Sequence, residues 1–325
     1  MPIITEGLYN NRSGSQNYES PFRLGNYPVS LGLFNTAKGL YVGSNPVYHP
    51  EAINWVIRVH GLAFPGEVTY EQLDAVSKFC YAIDAAGIRD RFMRLNLFCG
   101  NNLKACVVPL YTNTSMNYTH VGNAVDTNNS FVDGDYSAST GLTGDASNKT
   151  LETGVDQVDV NTGSDSVADN SHISVYAITK TISQDYMIGS FHSSDQEGFV
   201  LQMGEFIWMG LADVGSSQIY SNSTDANQRT GLTVGTTNGT QATGKVYNDN
   251  SDLVSSYTKS VGGSDQINIC VFGIWDDSQD PAAAYANTSA ALGGYSFGNY
   301  MTPTQVANYT SAMSAFQTAM GRNAP

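Results

Sequence analysis

Two regimes of hydrophobic spacing divide the chain. Between Pro50 and Gly87 apolar residues recur at the helical period. In PEAINWVIRVHG, residues Ile53, Val56, Ile57 and His60 share one side and Gly61 is the stop. Thr69-Tyr70-Glu71-Gln72 reads as a capping box. It opens a second helix with Leu73, Val76, Phe79, Cys80 and Ile83 on one face and Gly87 at its end. NLKACVVPLY, from Asn102, predicts a third, short helix stopped by Pro109.

Beyond Tyr111 the period shortens to two, and clusters of Asn, Thr, Ser, Asp and Gly separate the apolar runs. HISVYAITK (172–180), YMIGSF and FVLQMGEFIWMGL read as strands. INICVFGI (267–274) is nearly continuous and predicts a strand buried on both faces. GLTVGTTNGTQATGKVYNDNSDLV reads as strand, turn and strand, with Asn238-Gly239 as the hairpin signal. Many strands without alternating helices, and without a fixed repeat period, predict an antiparallel β-sandwich.

The chain closes on a helix whose ends are both marked. Thr302 is the N-cap, Pro303 the first helical residue and Gln305 completes a capping box, with Met301 and Val306 placed as a hydrophobic staple. Val306, Tyr309, Met313, Phe316 and Met320 form one apolar face. Ser311, Ser314, Gln317 and Thr318 leave the other side polar, and Gly321 ends the helix in a left-handed conformation. At the other end, residues 1–48 are rich in Gly, Asn, Pro and Tyr. LGLFNTAKGLYVG suggests a hairpin, and Tyr9, Tyr18, Tyr27 and Tyr41 favour an arm laid on a neighbour. The expected organisation is an arm over 1–48, a helical segment over 49–111, and a sandwich over 112–325 carrying a terminal helix over 303–320.

Composition narrows the function classes. The chain has 325 residues, only 14% of them charged, and a net charge of −14. An acidic surface repels nucleic acid. No run reaches the roughly 18 apolar residues that span a bilayer, so membrane insertion is not expected. The first residues, MPIITEGLYNNRSGSQ, show no secretory pattern, which implies synthesis in a cytoplasm. Cys80, Cys99, Cys106 and Cys270 have no zinc-finger spacing. They read as small buried hydrophobes, with a Cys99–Cys106 disulfide as the alternative.

The stretch GGYSFGNYMTPTQVANYTSAMSAFQTAMGR (293–322) resembles the C-terminal signature of concanavalin A-like (laminin-G-like) jelly-roll proteins of bacteriophages and phage-derived loci. AIDAAGIRDRFMRLNLFCGNNLKACVVPLY, FVDGDYSASTGLTGDASNKTLETGV and HISVYAITK look like the same family, so the likeness runs from about Pro50 to Arg322. It implies a mainly β, antiparallel jelly-roll sandwich with a helical segment before it and the terminal helix on its edge. It also implies a virion protein on a head, tail or fibre, made in the host cytoplasm and partnered by other virion proteins. A homo-oligomer, a trimer by analogy, goes with that reading.

Candidate chemistry is sparse. The E-x-D-x-E strand of jelly-roll glucanases is absent, Glu205 stands alone, and Asp276 and Asp277 as strand neighbours point to opposite faces, so no enzyme is expected. His192-Ser193-Ser194-Asp195 is too local for a triad. For a lectin binding host polysaccharide, an aromatic platform beside amide and carboxylate groups is wanted. Tyr247, Asn248, Asp249 and Asn250, with Trp275 and Tyr220, are the candidates, and the simpler reading is that Trp275 and Tyr247 plug the ends of the sandwich. No cofactor is required, although calcium would suit the acidic loops around Asp156, Asp159 and Asp165, around Asp126, Asp133 and Asp135, or around Asp249 and Asp252. A solvated acidic loop is the simpler reading of each.

Overall fold

A computed structural model describes residues 19–24, 27–30, 32–35, 39–41, 47–62, 67–114, 120–160, 170–179, 185–192, 197–203, 208–211, 230–238, 243–249, 251–252, 267–276, 283–286 and 288–322. The N-terminal part supplies β1 (Glu19–Leu24) paired with β2 (Tyr27–Ser30). A small sheet follows, of β3 (Gly32–Asn35), β4 (Gly39–Tyr41) and β5 (Val47–Tyr48). The expected hairpin is the β3–β4 pair.

Helices α1 (Pro50–His60) and α2 (Tyr70–Ala85) come next, then β6 (Phe92–Asn96) and the short α3 (Leu103–Cys106). The 49–111 segment is therefore not purely helical, because β6 joins a sheet. The caps follow the sequence chemistry. Thr69 Oγ1 accepts the Gln72 amide at 3.2 Å, and Gln72 Oε1 accepts the Thr69 amide at 2.9 Å. In α1 the cap is His49, whose ring Nδ1 accepts the Glu51 amide at 3.2 Å. Pro50 needs no acceptor at that position.

Two sheets make the sandwich. One runs β17 (Ser251–Asp252), β16 (Thr243–Asn248), β15 (Gly231–Asn238), β11 (Ser171–Ala177), β21 (Ala291–Asn299), β9 (Gly141–Thr143), β8 (Tyr136–Ser137), with β6 also paired to β21. The other runs β14 (Trp208–Leu211), β13 (Glu197–Met203), β12 (Asp185–His192), β18 (Asn268–Val271), β10 (Thr150–Asp156), β7 (Thr127–Asn129). There β19 (Gly273–Asp276) joins β12 and β20 (Ala283–Ala286) joins β19, while α4 (Gln157–Val160) follows β10. Among the described strands pairing is antiparallel except between β12 and β19. INICVFGI is thus two strands, broken where Phe272 adopts φ 68°.

The sandwich interior is apolar from both sides. Ile173, Val175, Tyr295 and Phe297 of the first sheet meet Leu151, Met187, Phe199, Leu201 and Ile269 of the second, and Phe199 and Phe297 touch edge to face across the gap. Alternation along β11 turns His172, Ser174 and Tyr176 the other way. On that outer face a second core holds Tyr176, Leu232 and Val234 against Trp55, Phe79, Val306, Tyr309, Met313 and Phe316 of the helices. The molecule therefore has three layers, sheet, sheet and helices.

The position of α5 (Pro303–Ala319) corrects the expectation of an edge cover. It lies across the outer face of the first sheet, with α2 beside it. Tyr309 donates to Ser296 of β21 at 3.2 Å, and Phe316 packs on Phe79 of α2. The predicted stripe of Val306, Tyr309, Met313 and Phe316 is buried as expected. Gln317 was expected in solvent. It is fully buried instead, its amide donating to the Gly293 carbonyl at 2.9 Å, because the helix is enclosed on two sides. Burying Val306, Met313 and Phe316 is worth up to about 5–9 kcal/mol, far more than helix propensity supplies. Gly321 takes the predicted left-handed turn at φ 72°.

Candidate functional site

The buried polar groups lie where the layers meet. Arg94 of β6 and Asp126 are both fully buried. Asp126 accepts from Arg94 Nε at 3.0 Å and Nη2 at 2.6 Å, from Asn96 Nδ2 at 2.9 Å and from the Tyr295 hydroxyl at 2.8 Å. Arg94 also donates to the carbonyls of Val121 and Asn123, which fastens the 121–126 loop to the sandwich. The calcium reading of Asp126 is thereby corrected, since its carboxylate is already neutralised by a guanidinium. Asp135 likewise accepts the Val132 amide and pairs with Lys149 at 2.8 Å.

Arg322 is 1% exposed, and among the described residues no carboxylate pairs with it. Its guanidinium donates to the carbonyls of Phe98 and Ala138, each at 2.6 Å, and of Leu97 and Gly293 at 3.2 and 3.3 Å. The last helix is thus tied through its end to β21 and to the 97–98 and 138 segments. Five donors in a planar fork suit such a convergence of carbonyls. Nothing local in the sequence marks Arg322 as buried; its place at the end of the family-like stretch 293–322 is the signal that could have found it.

His172 sits between β11 and α5 and is fully buried. Its Nδ1 donates to the Asn299 carbonyl at 2.8 Å, and Nε2 accepts from Ser296 at 3.0 Å. Ser296 in turn meets Ser174 at 2.7 Å and Tyr309. Burial pulls the imidazole down to about 4, opposed by the Asn299 bond and reinforced by the charge of Arg91. Two serines, a tyrosine and a histidine resemble a proton-transfer chain. Sealed under a helix, they act as the neutral hydrogen-bonding partners that let a polar row be buried.

Of the two readings of the aromatic candidates, the structure places Tyr247 in the interior. Tyr247 is 4% exposed and packs in the helix-side core, so it offers no stacking surface. The alternation of β16 decides this, because Val246 fills the sandwich and Tyr247 must face the helices. Asn248 Nδ2 donates to the Thr230 carbonyl at 3.2 Å and to Thr233 at 3.1 Å. Asp249 takes φ 44° and accepts the Leu232 amide at 2.9 Å. Partial burial raises its carboxyl, and that bond opposes the rise. A side chain at Gly231, itself at φ 85°, would strike the Asp249 carboxylate. The lectin-like loop is therefore a hairpin end whose polar groups fasten β15 to β16.

Trp275 is half-buried and lies opposite Ser190, which pairs on its other side with the core residue Phe199, so Trp275 shares the row that faces the sandwich interior. Asp156 and Asp159 do come together at the β10–α4 junction. Burial first, and the Asp159 charge second, raise the Asp156 carboxyl. Among the described residues no third acidic, histidine or cysteine ligand joins them. Tyr220, Asn250, Asp165, Glu205 and the 193–195 triad candidate lie outside the described residues. The four cysteines are free and buried, as the sequence implied.

No family model matches the chain, and no curated protein does. Solved structures of similar shape include the botulinum neurotoxin serotype D binding domain, at 10% identity and TM-score 0.44, covering 69% of this chain and 52% of that one. Domain 4 of the Geobacillus stearothermophilus arabinanase AbnA, in complex with arabinotriose, matches at 12% identity and TM-score 0.32, covering 50% and 72%. The CBM40 of the Ruminococcus gnavus IT-sialidase, bound to sialyllactose, matches at 10% identity and TM-score 0.29, covering 45% and 84%. At these TM-scores the likeness carries no argument about function. The mainly β, two-sheet sandwich with its C-terminal helix stands on the strand pairing and the core of the chain itself.

Proposed function

We propose that the chain is a non-enzymatic structural protein of a bacteriophage particle, a head decoration or a tail- or fibre-associated subunit held by its first 48 residues. The observation that supports it is the use of the buried charges. Arg94 with Asp126 ties the 121–126 loop to the first sheet, and Arg322 with its ring of carbonyls ties the end of α5 to the same sheet. A unit fastened in this way serves as a rigid mount. The resemblance of residues 293–322 to phage jelly-rolls gives the mount its setting, and the structure assigns physical jobs to that stretch: Gly293 accepts from Gln317 and Arg322, and Thr302 caps α5.

The test is immunogold electron microscopy of particles from a producing culture, with antibody to this chain. Gold on heads supports a decoration protein and gold on tails or fibres an attachment component. Particles without gold overturn the proposal. In the same reading the subunit is a homo-oligomer, a trimer by the resemblance, and light scattering on the purified chain checks it. Binding of a surface polysaccharide, as a lectin or adhesin, is the second reading. Among the described candidates Trp275 is half-buried whereas Tyr247 is 4% exposed, so Trp275 keeps the larger exposed surface. A glycan array on Trp275→Ala against the unaltered chain decides whether that indole takes part.

A further inference from the structure

The junction of α1 and α2 gathers groups that the layer packing does not need. One ring nitrogen of His49, one carboxylate oxygen of Glu51 and the sulfur of Cys80 lie within 4.8 Å of one another, and all three residues are buried. Glu51 is held by one oxygen only. Its Oε1 accepts from Arg89 Nε at 2.7 Å, while Oε2 is buried without a hydrogen-bond partner. An orphaned carboxylate oxygen in a dry site is costly, so it points to a missing partner. The His49 ring is oriented by Asp84, whose Oδ2 lies 2.9 Å from Nε2. That bond puts the proton on Nε2 and the lone pair on Nδ1, where it caps α1 by accepting the Glu51 amide at a long 3.2 Å, a bond that gives way when a metal takes the lone pair.

We propose that His49 Nδ1, Glu51 Oε2 and the Cys80 thiolate bind a divalent transition metal of the zinc class, with Asp84 as the outer partner of the histidine. The chemistry of the set agrees. A carboxylate holding the far nitrogen of a ligand histidine is the usual support of such sites. Two anionic ligands cancel the charge of the ion, so Arg89 keeps its own bond to Oε1 and its stack on the Tyr111 ring at 3.8 Å. Cys80 binds as the thiolate, so its thiol proton leaves to solvent when the ion enters. Donors to zinc stand about 3.3–3.8 Å apart in a tetrahedron, so closing the cluster takes movement on the order of 1 Å, and water fills the fourth position. Asp84 is 44% exposed, which gives the ion a way in. The ion would pin α1 to α2 across the helical layer.

The test uses the full chain, stripped with a chelator and titrated with cobalt(II) alone. One ion per chain is expected, with a near-ultraviolet thiolate-to-cobalt charge-transfer band that zinc bleaches. Cys80→Ala abolishes the band and Cys270→Ala keeps it. Asp84→Asn weakens cobalt affinity about 10–100-fold, with circular dichroism confirming that the variant is folded. Absence of a band in the unaltered chain at excess cobalt overturns the proposal. So does a band that survives Cys80→Ala, or an affinity indifferent to Asp84→Asn.

Discussion

Asp126→Ala probes the chemistry that fixes the sandwich most directly. In the folded chain the Asp126 carboxylate accepts from Arg94, Asn96 and Tyr295, and neither member of the ion pair has measurable exposure. Removing the carboxylate leaves a guanidinium in the interior with only the carbonyls of Val121 and Asn123 and the Tyr295 hydroxyl. Breaking a buried pair from one side costs about 3–5 kcal/mol. Unfolding entropy near 2.1 cal/mol/K per residue gives roughly 0.7 kcal/mol/K over 325 residues, so the melting temperature falls by about 4–7 °C. Differential scanning calorimetry reads this directly. Exchanging both partners for apolar residues, Arg94→Met with Asp126→Leu, recovers most of the loss, because the uncompensated charge is the cost rather than the missing attraction. A fall below about 1 °C in the single variant, or a double variant worse than the single, refutes the reasoning.

The remaining predictions rest on separate elements. His172 is neutral in the fold and ordinary, near 6.5, when unfolded. Its contribution is therefore fully present above about pH 6.5 and is lost as pH falls toward 4. Urea unfolding should lose up to about 3 kcal/mol across that window, and His172→Asn should flatten the loss. Thr302→Ala removes the cap of α5 and should cost about 1 kcal/mol by denaturant titration. Tyr247→Ala should destabilise by about 3–5 kcal/mol while leaving any polysaccharide binding of the folded protein unchanged; a stable variant that loses binding would restore the platform reading. Gly231→Ala should destabilise by at least about 1 kcal/mol in the same denaturant titration, because φ 85° and the Asp249 carboxylate both oppose a side chain.

Reading the helices from sequence succeeded where the information is local. The boxes at Thr69 and Thr302 join residues three apart, and such spacing survives any tertiary arrangement. His49 as a cap was not foreseen, since histidine is not a usual capping residue. The strands β11, β12, β13, β15 and β16 fall where the sequence placed them; β15 and β16 pair as a hairpin with Asn238 still in the strand opposite Thr243, and the connecting residues 239–242 lie outside the described residues. The break at Phe272 was hidden, because a continuous apolar run carries no mark of a left-handed residue.

The candidate site was much less legible. For Tyr247 the flanking Asn and Asp suggested a platform and its aromatic ring a plug; alternation carries its side chain the opposite way from Val246, and which face the helices cover is not written at that position. Asp126 read as an acidic loop residue until Arg94, 32 positions away, arrived beside it. His49, Glu51 and Cys80 lie on two helices and show no ligand spacing.

By itself the sequence determined short-range facts: where the capped helices begin and end, where several of the longer strands lie, and which helix faces are apolar. Only the tertiary structure decided that α5 lies on a sheet face and not on its edge, that Gln317 and Arg322 are interior, and which charges meet. The reason is physical. Caps and periodicity are fixed by neighbours within one turn or one pleat, whereas burial and ion pairing depend on which distant surface finally covers each face.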